Sequence, residues 1–254
     1  MKRTTLYRFT FYLMGLIILA LGITLNTKVG LGVSAIISVS YSISTITHGN
    51  FGNITLILYS IFVVIEMVLH TVQFLKTRNS RTKMKRMEAT EHGNGKREKL
   101  SLILVKDALQ FPLSLLFTRF LNLFAAAIPA YDSPGADAFY SGFTGRILVL
   151  ILAIIFNGMG TAMSLNMRLI PDPADGIVQA IADCTGKGVG FTKNCFDLFN
   201  ISITIIVGLF FAGKLIGIGI GTVLAVIGVG RVIAVFNHFF MKKMGILAGM
   251  EETK

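Results

Sequence analysis

Six apolar runs constrain this chain more than any other feature. Each approaches the ~20 residues needed to cross a ~30 Å hydrocarbon core. They extend roughly over residues 8–26, 53–75, 100–130, 146–164, 191–213 and 215–240. Inside a bilayer the backbone must satisfy its own hydrogen bonds, so apolar runs of this length read as helices. The rest of the chain agrees: it is 53% hydrophobic and only 15% charged, too few polar residues to coat a soluble surface. The expected fold class is all-α, a polytopic membrane helical bundle of about six transmembrane helices forming one integral membrane domain over 1–254.

A formal net charge of +11 would suggest nucleic-acid binding in a soluble protein. Here the stretch from Lys76 to Lys99 holds nine Lys/Arg against three Glu and falls between two spans. Such a loop marks the cytoplasmic side, so the expected partner is the lipid bilayer and not nucleic acid. With six spans, the N-terminal MKR, the 76–99 loop, the Arg168/Lys187 connection and Lys242/Lys243 share that side. Lys28, the loop over 131–143 and Lys214 fall on the other, giving cytoplasmic termini. The basic, apolar N-terminus has the look of a signal peptide. Its apolar run is long for one, however, and no small-residue cleavage site follows cleanly, so it reads as a first span.

Two shorter segments, SAIISVSYSISTI from Ser34 and ADGIVQAIADC from Ala174, are too short and polar to be spans. Asp172 is a good N-cap with Pro173 at the first helical position and Asp175 in the first turn, and Gly186 and Gly188 are natural stops. In the first segment Ser34 can cap and Gly49 can end the helix. The stretch from Leu25 aligns without gaps to the stretch from Leu165, pairing Asn26 with Asn166 and Lys28 with Arg168. The order of elements then suggests an inverted 3+3 repeat, with spans 1–3 within 1–130 and spans 4–6 within 145–240. Paired broken segments meeting near the midplane are a transporter plan. Two interfacial helices that merely join spans would read the same.

The second-half run LNMRLIPDPADGIVQAIADCTGKGVGFTKNCFDLFN carries the IPDPADG break and the G-F-x-K-x-x-x-D entry formed by Gly190, Phe191, Lys193 and Asp197. With GTV at Gly221 to Val223 and GLGVS from Gly30, it resembles the YczE/YyaS/YitT-type family of bacterial multi-pass membrane proteins. The Pro-Trp that often follows the first-half turn in that family is replaced by Ala35-Ile36. The resemblance implies a protein of the bacterial cytoplasmic (inner) membrane and supplies no substrate.

Ionisable groups inside spans are costly and mark pathways or packed partners. The candidates for substrate binding or coupling are Glu66, Arg119, Asn166, Arg168, Asp172, Asp175, Lys193, Asp197 and Arg231. Lys106 and Asp107 sit nearer the cytoplasmic entrance of span three. An Asp197–Arg231 or Glu66–Arg231 pair is geometrically compatible with the topology, as is an i,i+4 pair of Lys193 with Asp197. Each has a plain reading as structural glue. Pro112 is expected to bend span three. The glycines of span six, Gly217, Gly221, Gly228 and Gly230 among them, suggest close helix approach.

Cys184 and Cys195 offer no disulfide framework, and the four histidines form no ligand cluster in sequence. No P-loop, nucleophile elbow or HExxH is present, so no enzyme activity, metal or cofactor is expected. The expected function is a transporter or exporter of a small polar molecule working by alternating access. The alternative is a non-transporting scaffold, sensor or accessory subunit. Homo-oligomerisation is compatible with either.

Overall fold

The computed structural model describes residues 3–85, 100–134 and 138–250. Six helices are long and apolar enough to cross a membrane, and they match the six runs. They are α1 (Arg3–Lys28), α3 (Phe51–Lys85), a third span made of α4 (Leu100–Ala108) and α5 (Gln110–Ala127), α7 (Phe143–Asn166), α9 (Val189–Ala212), and a sixth that begins as α10 (Ile220–Phe236). The shorter pieces are α2 (Ala35–Thr47), α6 (Ala138–Ser141) and α8 (Pro173–Thr185). No strand occurs among the described residues. The basic stretch after Lys76 continues α3 as far as Lys85, and its remainder lies outside the described residues.

Two of the spans are broken locally, each for a readable reason. Span three divides at Leu109, one turn ahead of Pro112, whose missing N–H leaves the Ala108 carbonyl without its helical partner. The interruption thus falls one turn ahead of Pro112, where a bend is expected. Span six passes through a π-helical turn at Asn237–Met241 into α11 (Lys242–Leu247), and Asn237 Oδ1 accepts from Asn166 Nδ2 at 2.7 Å. A π-turn widens the helix locally, which lets a side-chain amide be met from the neighbouring span.

The centre of the bundle is the α1–α7 pair, the most extensive helix contact in the molecule. Glycines set its closeness: a Cβ on Gly160 would fall 2.5 Å from the Leu19 nitrogen and 2.7 Å from the Gly15 carbonyl oxygen. α5 then packs on α1 as α10 packs on α7, while α8 packs on α3 as α2 packs on α9. Of the span-six glycines, Gly221 meets the Leu31–Gly32 backbone and Gly228 meets Ile154, but Gly230 has nothing near it. Gly217 lies before α10, against Tyr41.

Both ends of the described chain meet at one end of the bundle, where Gly249 packs on Thr4. The opposite end is clasped by Arg146, which donates to the Val29 carbonyl at 2.7 Å and lies 3.9 Å over the Tyr131 ring. Tyr140 donates to the Lys28 carbonyl at 3.3 Å beside it. Burial pushes the Tyr140 hydroxyl pKa up, opposed by the Arg146 charge.

The two short helices are placed alike, each along a long helix of the other half. α2 enters where Val33 N–H donates to Gly217 O just before α10, and Tyr41 meets Phe51 in the first turn of α3. Ser34 occupies its N-cap position without a side-chain cap bond, and the left-handed residue that ends it is His48 rather than Gly49. α2 is held from within by hydroxyls, with Ser38 against Thr204 at 2.7 Å and Thr55 donating to Ser40 at 3.1 Å. Thr204 is about 12 Å along the axis from the end of α9, and α8 starts at a like depth. Its first turn faces Tyr59, about 12 Å along the axis from the start of α3 at 1.5 Å per residue. It ends where Gln73 donates to the Asp183 carbonyl at 3.2 Å.

Candidate functional site

The chain reaches the deep start of α8 through a loop fixed to α1. Arg8 donates to the Met167 carbonyl at 2.6 Å and to the Arg168 carbonyl at 2.8 Å, and Tyr12 donates to Ile170 O at 2.8 Å. Arg168 itself adopts φ 48, a left-handed conformation that turns the chain back into the bundle. Asp172 then caps α8 as its sequence requires: its carboxylate accepts from the Ala174 N–H at 3.2 Å, with Pro173 next and Gly186 closing the helix at φ 69.

Four charged side chains gather around that first turn. Asp172 is half-buried, with Tyr59 beside its carboxylate. Asp175 Oδ1 lies 3.3 Å from Lys193 Nζ, and Asp197 adds its charge to the same lysine. Lys193 thus bridges from α9 to α8, in addition to facing Asp197 on its own helix. Three carboxylates against one ammonium leave the group formally negative by two. The positive end of the α8 dipole offsets only part of that.

A second group lies next to the same turn. A Cβ on Gly176 would come 2.5 Å from Glu66 Oε2, so the glycine lets α8 close directly over that carboxylate. Glu66 Oε1 accepts from Gln110 Nε2 at 2.9 Å, and His70 Nδ1 lies 2.8 Å from Asp107 Oδ2. Glu66, Asp107 and Gln110 are all buried. The division of span three at Leu109 separates the two helical pieces that carry Asp107 and Gln110. One ligand atom each from Glu66, His70 and Asp107 lies within 4.8 Å of the others, so the histidines are not all isolated as the sequence suggests.

The sequence candidates therefore divide. Asp172, Asp175, Lys193 and Asp197 come together, and Glu66 lies one residue step away across Gly176. The others do not join them. Arg119 is exposed and reaches Asn53 Oδ1 at 3.4 Å. Asn166 is spent on Asn237, and Arg168 is exposed at its turn. Arg231 is exposed on the outer face of α10 and forms no ion pair with Glu66 or Asp197 among the described residues. Both expected arginine pairs are corrected: Glu66 is held by Gln110 and Asp197 lies by Lys193. Tyr12, Tyr59, His70 and Gln110 are the site residues that sequence reasoning missed. His70 is four residues after Glu66 on one helix face, a spacing that could have flagged it.

Residues 6–80 and 97–238 match a family of unknown function, DUF6198. The chain belongs to that family. The match takes in both short helices, the clasped α7–α8 loop and every charged residue of the two groups, so the family covers the whole candidate site. No curated protein and no solved structure matches the chain.

Proposed function

We propose that this protein is a transporter of a small polar molecule, working by alternating access between two inverted halves of a bacterial cytoplasmic membrane protein with both termini inside. The observation that carries the reading is α8: a half-length helix whose charged first turn sits well inside the bundle beside Tyr59. Broken helices of this kind place their polar ends at substrate sites in transporters, because irregular backbone at membrane depth is tolerated only where protein or a polar cavity receives it. The helix pairing supports the two halves: α1 with α5 corresponds to α7 with α10, and α3 with α8 corresponds to α9 with α2. Three spans per half is an odd number, so the halves enter from opposite faces. The basic stretch after Lys76 supports the inside assignment. The resemblance of the IPDPADG region to YczE/YyaS/YitT-type proteins belongs to the same proposal.

The excess of carboxylates around Lys193 favours a solute with a cationic group. An untargeted metabolite comparison of cells lacking and overexpressing the protein tests this. A reproducible, opposite change in one class of small cationic metabolites is expected. No reproducible change would overturn transport in favour of a scaffold or sensor whose charges are structural.

A further inference from the structure

We infer that Glu66, His70, Asp107 and Gln110 form a binding site for one divalent first-row transition-metal ion. The donors are already gathered: the Glu66, His70 and Asp107 ligand atoms lie within 4.8 Å of one another. Metal–ligand distances of about 2.1 Å put neighbouring donors roughly 3 Å apart, so small side-chain rotations close the site.

The independent observation is a pair of stranded acceptors. Glu66 Oε2 and Gln110 Oε1 have no hydrogen-bond partner among the described residues, although their side chains belong to residues 2% and 0% exposed. Gln110 donates one amide N–H to Glu66, and its carbonyl oxygen meets no donor among the described residues. A buried acceptor with nothing to accept from is left with its full desolvation cost. Two in one cluster, beside a second carboxylate, call for a cation.

Charge and donor type select which cation. Two carboxylates with a neutral imidazole and an amide sum to minus two, which a divalent ion neutralises and a monovalent ion does not. Neutrality is what a low-dielectric position requires. The imidazole favours a transition metal over magnesium, calcium or sodium. His70 Nδ1 and Asp107 Oδ2, 2.8 Å apart, already have the spacing of two donors on one ion, so Nδ1 ligates beside the carboxylate and Nε2 carries the ring proton. The His70 side chain is 17% exposed and the Asp107 side chain 5%. Because Gly176 of α8 covers Glu66, an ion there would tie α3, the divided third span and α8 together.

The full chain, purified in lipid nanodiscs and stripped with chelator, is titrated with Mn2+ alone at fixed pH. One Mn2+ per chain is expected by equilibrium dialysis, with pulsed EPR showing coupling to one imidazole nitrogen and with Zn2+ displacing it. Glu66→Gln and Asp107→Asn should each weaken binding at least tenfold, while Arg231→Gln on the outer face leaves it unchanged. Absence of stoichiometric binding by the wild-type chain, a Mn2+ signal without nitrogen coupling, or unaltered affinity in both carboxylate variants would overturn the site. Should those variants fail to fold, the wild-type spectrum decides alone.

Discussion

Gly160→Val is expected to cost about 3 kcal/mol, the upper part of the range for overpacking a filled interior, and to remove most of the protein from the membrane. The new Cβ would meet the Leu19 nitrogen, the Gly15 carbonyl oxygen and the Leu19 Cα, all backbone atoms that no rotamer change can move. α1 and α7 would have to separate, and the flanking α5 and α10 pack directly on them. In a bilayer, helices associate through close packing and not through a hydrophobic drive, so lost closeness is not recovered elsewhere. Gly230→Val is the matched control: nothing lies within 4 Å of its Cβ position, and thermal stability in detergent should be unchanged. Equal melting temperatures for wild type and Gly160→Val would mean that the α1–α7 contact does not hold the bundle together.

Asp172→Asn is expected to abolish the metabolite phenotype, with at least a tenfold loss of flux, while protein level and melting temperature stay at wild-type values. Asparagine is as good an N-cap as aspartate, so the cap on Ala174 N–H survives and only the charge is lost. Asp172→Ala removes the cap as well and should add about 1 kcal/mol of destabilisation. The comparison of the two separates a functional carboxylate from a structural one. Full activity in Asp172→Asn would assign Asp172 to capping alone.

Much of this architecture is legible in the sequence because it is local. Span lengths follow from run length, the α8 cap follows from Asp172-Pro173, and the bend in span three follows from Pro112. The depth of α8 is a different kind of fact. It depends on Arg8, Tyr12 and Tyr59 catching the α7–α8 loop, contacts separated by more than a hundred positions in the chain. The same holds for α2, whose entry is bonded to Gly217 and whose Ser38 meets Thr204 of α9. The charged candidates show the same division. Lys193 and Asp175 meet because α8 and α9 are consecutive and antiparallel at a tight Gly186–Gly188 turn. Arg231 belongs to a helix whose exposed face no local pattern identifies, because span six is apolar nearly all round. The Glu66 group needed one thing invisible to spacing, a glycine at 176 on a different helix.

The central claim, that the first turn of α8 is exposed alternately to the two sides, is tested most directly by accessibility. In a chain with Cys184 and Cys195 changed to serine, Asp175→Cys is challenged with a membrane-impermeant thiol reagent in sealed vesicles of each orientation. Labelling from both faces, at rates that shift in opposite directions when a transported solute is added, is the expected result. Labelling from one face only, at a rate no solute changes, would contradict alternating access and leave α8 as a fixed structural helix.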